Sequence, residues 1–344
     1  MKIACVLTTI NVPTVLEAYR ACSPAHLDPI KFFVIGDMKS DDHKTQEFVN
    51  RLADTEYFSY DRQQSLGLAT NSLLPANCIQ RRNLGFLLAL KWGADAIVSI
   101  DDDNIVFDKS YFTYHRHALQ YPFTGLMFEG GKSAWFDAGR LLQPQAKHRG
   151  IPYDAITGGI MRHAVGAKVG VSAGLCLGDP DIDATTRMVN HPLVGDTNAV
   201  GRAGIVVHPN TWTVFNSQNT AVIRELIPAW GMVPHVGRFD DIFASLVVQR
   251  VARDRDLHVR FGQPCVWQHR NSHDLVKDLR GEIEGYATIR AFAALLDQVK
   301  LPNKSVVADC RIIWDTVRAS SIMPLETAPA MSAYLADCEQ VLKA

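Results

Sequence analysis

The chain has 344 residues, is 47% hydrophobic and 21% charged, and carries a formal net charge of −1. Such a balance fits a folded chain of one large or two modest domains and excludes a disordered polymer. Lys and Arg are scattered, so there is no basic face for a nucleic acid or an anionic membrane, and no apolar run is long enough to span a bilayer.

Ile3–Ile10 reads as a first strand: its apolar part is too short for a signal peptide and no cleavage pattern follows. The pattern then predicts helix over Pro13–Cys22, strand over Lys31–Gly36, helix over Lys44–Ala53 and strand over Tyr57–Tyr60. Helix over Arg81–Trp92 and strand over Ala96–Ile100 complete an alternation expected of a mostly parallel sheet wrapped by helices. Residues 121–213 are rich in Gly, Pro and polar stretches, and read as loops and short strands that extend a site. Asp240–Arg253 shows an apolar helical stripe, and Asp274–Val299 and Ser305–Ala319 read as helices of a C-terminal appendage. The expected division is a domain over 1–273 and a helical extension over 274–344. Seven Cys, far apart and never in C-x-x-C spacing, read as reduced thiols in a cytoplasmic compartment.

Directly after Ala96–Ile100 comes Asp101-Asp102-Asp103-Asn104. Three adjacent carboxylates at the end of a buried strand repel one another unless a cation binds there. Oxygen ligands without Cys or paired His suit Mn²⁺ or Mg²⁺, ions commonly shared with substrate phosphates, so a diphosphate-bearing substrate follows. Ligands of parallel sheets bind beyond the carboxyl ends of the strands, where Thr8, Thr9, Asp37 and Asp101 to Asp103 fall. Glu129-Gly-Gly-Lys-Ser133 ends like a P-loop but has Leu126 at the required first glycine, and His115 and His117 lack the H-E-x-x-H pattern and read as packing or surface residues. An acid-tipped strand also opens aspartyl-nucleophile phosphatases, whose lysine and further acidic partners are not singled out here.

Gln80-Arg-Arg-Asn-Leu-Gly-Phe86, followed by Gly93 to Asn104, resembles the Arg-Asn-x-Gly helix and Asp-x-Asp (DXD) strand end of GT-A glycosyltransferases. Arg149-Gly-Ile-Pro-Tyr153, Gly174 to Ala184 and Gly237-Arg-Phe-Asp-Asp-Ile242 are similar, in the same order, to blocks of the reversibly glycosylated polypeptides, which include UDP-arabinopyranose mutases. Val34 to Lys39, Ser217-Gln-Asn-Thr220 and His269-Arg-Asn271 are similar to STELLO-type glycosyltransferases. The mutase pattern has a second arginine where this chain has Ile156, and its late histidine aligns with Gln268.

The resemblance implies a GT-A, Rossmann-like, mixed and mostly parallel sheet flanked by helices. It further implies Arg82 on the nucleotide side, Asp101 and Asp102 at the nucleoside, and Asp103 on the metal, with His269 as second ligand. Asp181 and Asp183 would hold the donor sugar, and Asp240 and Asp241 would bind hydroxyls or take a proton, Asp241 being slightly favoured. Arg149 matches the arginine that becomes glycosylated in the mutases, but a guanidinium is almost always protonated, so a clamp on the diphosphate is the preferred role. The expected function is a metal-dependent glycosyltransferase taking a nucleotide-diphosphate sugar, UDP-sugar favoured, to a small-molecule or glycan acceptor. A sugar-nucleotide mutase and a non-catalytic binding subunit are the alternatives, and a homo-oligomer is compatible with the sequence.

Overall fold

The computed structural model describes residues 1–23, 29–131 and 133–343. Lys132 of the P-loop-like stretch and Ala344 of the predicted extension lie outside the described residues. The first part of the chain runs β1 (Ile3–Thr8), α1 (Leu16–Ala21), β2 (Ile30–Ile35), α2 (Asp42–Val49), β3 (Thr55–Phe58), α3 (Tyr60–Gln64), α4 (Ala69–Leu73), α5 (Arg82–Trp92) and β4 (Ala96–Ile100). The middle holds β5 (Asn104–Val106), α6 (Tyr111–Gln120), β6 (Phe123–Glu129), β7 (Trp135–Phe136), β8 (Leu142–Gln143), β9 (Ile160–Ala167) and β10 (Val169–Gly178). There follow α7 (Ala184–Val189), β11 (Asp196–Thr197), α8 (Ala199–Ala203), β12 (Ile205–Val207), β13 (Trp212–Thr213) and β14 (Asn219–Ile223). The chain closes with α9 (Asp240–Arg253), β15 (His258–Gln268), α10 (Leu275–Gln298), α11 (Val306–Ser320) and α12 (Thr327–Lys343).

Among the described residues the main sheet is ordered β3-β2-β1-β4-β14-β10-β15-β12-β6-β9, with β5 paired to β15. β14, β12, β6 and β5 run against the others, so the sheet is mixed and mostly parallel, as expected of the GT-A architecture. Both faces are covered. Val6, Phe33 and Ile35 face a cluster with Phe86, Leu90 and Trp230, while Cys5, Leu7, Phe32 and Val34 face Tyr19, Tyr111 and Phe112. Two apolar faces explain why these strands are continuous apolar runs without alternation.

α5 is buried almost all round and stops at Gly93, whose left-handed backbone (φ +82°) turns the chain into β4. A Cβ on Gly85 would stand 2.4 Å from Val6 Cγ1, so this glycine lets α5 press directly onto β1.

Residues 121–213 contain more regular structure than their composition predicts. β9 and β10 are eight and ten residues long, and β10 is a buried interior strand of the sheet. It carries three glycines because neighbours crowd it: a Cβ on Gly174 would meet Asn219 Nδ2 at 2.4 Å. The C-terminal helices expected from the sequence are present, together with a third, α12. Trp314, Tyr334 and Leu335 from α11 and α12 belong to the same apolar cluster as Val6 and Ile97 of the sheet. Among the described residues no helix is long and apolar enough to cross a membrane.

Candidate functional site

Strand register assembles the site at one edge of the sheet. Leu7 of β1 is level with Ile100 of β4, so Asp101 emerges beside Thr8. β14 runs antiparallel with Asn219 against Ile100, which sets Ser217 and Gln218 alongside the acidic run. β10 and β15 run parallel with Gly178 opposite Gln268, so residues 179–183 and 269–273 leave the sheet together. Asp240 and Asp241 open the first turn of α9 at the same place.

The acidic run divides two cavities. Asp102 lines a cleft of about 420 Å³ with Thr8, Thr9, Ile35, Asp37 and Ile79. Asp101 and Asp103 line a second, of about 280 Å³, with Asp181, Asp240, Asp241, Arg149, Arg238 and Arg270. Thr9 Oγ1 donates to Asp102 Oδ2 at 2.6 Å, and Asn11 Nδ2 does so at 3.2 Å. The Asp37 carboxylate accepts from the backbone N–H groups of Met38, Asn77 and Cys78 at 2.7–2.9 Å, fastening the turn that walls the first cleft.

Arg82 is fully buried and ties three strand ends together. It donates to Thr8 Oγ1 at 2.9 Å, Asp101 Oδ1 at 2.5 Å, and Ser217 O and Oγ at 3.0 and 2.6 Å. Asn83 and Met232 exchange hydrogen bonds, Met232 N to Asn83 Oδ1 at 2.7 Å and Asn83 Nδ2 to Met232 O at 3.0 Å. With Gly85 pressed on β1, each defined position of the Arg-Asn-x-Gly motif has a physical task.

Arg149 donates to both oxygens of Asp181, through Nε at 2.9 and 3.1 Å and Nη2 at 2.6 Å, to Asp241 Oδ1 at 3.1 Å, and to Arg238 O. Burial on its own would lower Arg149, but the two carboxylates outweigh it and hold the guanidinium above its ordinary value. Burial would likewise raise Asp181, yet Arg149 holds it well below the usual carboxylate range. Asp241 also accepts from Ser217 N at 3.0 Å. Asp240 is pushed up to about 7, by burial first and by the adjacent Asp241 charge second, and accepts from Gln80 Nε2 at 3.1 Å.

Asp103 is pushed up to about 6 by burial and by the Asp101 and Asp102 charges, with Arg270 opposing. Its Oδ1 is buried with no hydrogen-bond partner among the described residues. Among those residues no group of three or more His, Cys, Asp and Glu side chains converges as a metal cage. One unpaired carboxylate oxygen in an acidic cavity fits a hard divalent cation that takes its remaining ligands from water and substrate.

Of the residues singled out from the sequence, Thr8, Thr9, Asp37 and Asp102 line the first cavity, and Asp101, Asp103, Arg149, Asp181, Asp240 and Asp241 the second. Arg82 lies behind both. His269 and Asp183 line neither. The His269 side chain is exposed, and its backbone N–H donates to Asp103 O at 2.9 Å. Asp183 is fully buried and caps α7, accepting from Thr186 N at 2.7 Å and from the Tyr153 hydroxyl at 2.8 Å. Gln218, Arg238, Gln268, Arg270 and His273 line the second cavity without having been assigned a role. Gln218, Arg238 and Arg270 stand inside the motif blocks quoted above, so proximity to those blocks was the available signal.

The family model described as Reversibly glycosylated polypeptide matches residues 3–333. UDP-arabinopyranose mutase 1 of Oryza sativa subsp. japonica is 34% identical over 126 residues, 35% of this chain and 34% of that protein. Probable UDP-arabinopyranose mutase 1 of Solanum tuberosum is 26% identical over 253 residues, 68% of this chain and 64% of that one. The chain thus spans about a third of the length of the rice relative. Among solved structures, glucosyl-3-phosphoglycerate synthase from Mycobacterium tuberculosis with Mn²⁺, UDP-glucose and phosphoglyceric acid superposes at TM-score 0.45, with 13% identity, over 84% of this chain and 80% of that chain.

Proposed function

This chain belongs to the reversibly glycosylated polypeptide family, and from that premise we propose that it transfers a glycosyl group from a nucleotide-diphosphate sugar, UDP-sugar favoured, to a small-molecule or glycan acceptor. The observation that carries the reading is the division of the acidic run between two adjoining cavities. Asp102 faces the cleft with apolar Ile10 and Ile35, suited to a nucleoside, and Asp101 and Asp103 face the polar cavity, suited to a sugar and its phosphates.

The residues divide the work. Arg82 neutralises and orients Asp101, and Asp103 would hold a divalent cation. Such a cation, Mn²⁺ or Mg²⁺, supplies Lewis-acid stabilisation of the charge that develops on the departing diphosphate. As the bond from the anomeric carbon to the phosphate oxygen breaks, its electron pair leaves with the nucleoside diphosphate and an acceptor hydroxyl bonds to that carbon. Asp240, poised at about 7, takes the hydroxyl proton, because Asp241 is occupied by Ser217 and Arg149. Asp181 and Arg149 together form the wall that meets the sugar.

A second reading, a sugar-nucleotide mutase with reversible glycosylation at Arg149, draws on the names of the plant relatives and on Arg149 lining the cavity. Incubation of UDP-sugar with purified protein and Mn²⁺ separates the two. Donor consumed only with an acceptor, and abolished by chelation, supports the transferase. A ring-isomerised donor formed without acceptor supports the mutase, and a sugar adduct on Arg149 by intact-mass analysis supports its self-glycosylation. Tight UDP-sugar binding without hydrolysis, exchange or transfer sinks both in favour of a binding subunit.

A further inference from the structure

We propose that Arg270 is the side chain that grips the diphosphate, the role that guanidinium chemistry favoured for Arg149; this rests on the reading of the site as one for a diphosphate ester. Three guanidiniums line the cavity beside Asp103, those of Arg149, Arg238 and Arg270. Arg149 is held by Asp181, Asp241 and Arg238 O. Arg238 donates to Glu282 Oε1 at 3.2 Å and to Asp278 Oδ1 at 2.9 Å, both on α10. Either could turn to a ligand only by giving up charged hydrogen bonds to two buried carboxylates.

Arg270 is differently placed. Its side chain is only 9% exposed, yet its one hydrogen bond among the described residues runs from Nη2 to Pro180 O at 3.3 Å. Asp179 and Asp181 stand 3.7 Å away, beyond hydrogen-bond reach, and each is already taken: Asp179 by Arg187 and by His191 Nε2 at 3.0 Å, Asp181 by Arg149. Among the described residues Arg270 Nε has no acceptor, and neither has Arg187 Nε. This corner therefore holds more cationic hydrogen-bonding capacity than its carboxylates meet.

Across the cavity Asp103 Oδ1 lacks a donor among the described residues. A diphosphate carrying a divalent cation answers both needs, its oxygens accepting from the guanidinium and its cation meeting the carboxylate. The chain path points to the same group. Asn271 lines the nucleoside-side cleft while Arg270 lines the polar cavity, just as Asp102 and its neighbours Asp101 and Asp103 divide between the two. A diphosphate joining a nucleoside in one cavity to a sugar in the other has to cross between these two segments.

Isothermal titration of the wild type, Arg270→Gln and Arg270→Lys with uridine, UDP and inorganic pyrophosphate, each with Mn²⁺, tests the assignment. Arg270→Gln is expected to weaken UDP and pyrophosphate by about tenfold or more, leaving uridine within about twofold, and Arg270→Lys to recover part of the loss. Undiminished UDP and pyrophosphate binding in Arg270→Gln overturns the assignment, as does an equal loss for uridine in both variants. Wild type that binds pyrophosphate through Arg270 but neither uridine nor UDP keeps the assignment and removes the nucleotide reading. Wild type that binds neither UDP nor pyrophosphate removes both.

Discussion

Asp103 and Asp240 are carboxyls that folding shifts toward their neutral forms, and that gives the site a measurable cost. Burial and neighbouring charges push them up to about 6 and about 7. A carboxyl raised on folding binds more protons in the native than in the unfolded state, so stability falls as pH climbs from the ordinary carboxylate value of about 4 to the folded one. Chelator-treated wild type should therefore lose stability relative to Asp103→Asn between about pH 4 and 6, and relative to Asp240→Asn between about pH 4 and 7, by on the order of 1–3 kcal/mol. Urea denaturation across that range checks it, and curves that stay parallel refute it. Asp103→Asn should at the same time abolish the Mn²⁺-dependent part of UDP binding, and wild-type Mn²⁺-dependent binding should fade as pH drops through about 6, where the ligand becomes protonated. Asp183 shows how residue type misleads. An acid in a turn-rich block can serve a sugar or a helix start, and its neighbours Thr186 and Tyr153 make it the latter.

Elements carry the site by being pinned to one another. α12 is tied to α4 through Asp337, whose carboxylate accepts from Ala69 N at 3.1 Å, Thr70 N at 2.7 Å and Thr70 Oγ1 at 2.6 Å, and is almost wholly buried. Asp337→Ala should cost about 1–3 kcal/mol in denaturant unfolding, since it strands these donors at a helix start. A cost no larger than that of an exposed Asp would mean water replaces it. α10 approaches the Gly237–Phe239 turn through Gly285, where a Cβ would stand 2.2 Å from Phe239. Gly285→Ala should thus move α10, with its Arg238 partners Asp278 and Glu282, and alter nucleotide binding as well as stability; unchanged affinity would show that Arg238 does not depend on that contact. Most elements around the site were legible, because helix caps and apolar runs are local signals. β10 was not. Its glycines reflect crowding by Leu226, Asn219 and Trp267, a tertiary demand that mimics loop composition.

At the scale of the whole molecule, the C-terminal helices share the core of the sheet domain. Removing residues 274–343 would uncover Trp230, Phe239 and Phe243, all fully buried against partners such as Phe292, Trp314 and Tyr334. A 1–273 fragment is expected to bind a hydrophobic dye and to be cut rapidly by protease; a fragment that melts cooperatively would show that 1–273 is an independent domain. The amino-acid order by itself determined the strand and helix alternation, the acid-tipped β4, the Arg-Asn-x-Gly helix and the family blocks, since each is encoded within a few consecutive residues. Only the tertiary structure decided which charged groups face one another. It paired Arg149 with Asp181 and Asp241, turned Asp183 to a cap and His269 outward, and left Asp103 Oδ1 and Arg270 Nε without hydrogen-bond partners among the described residues. The reason is that charge pairing depends on distances of a few ångströms between segments far apart in the chain, which strand register sets and local sequence does not.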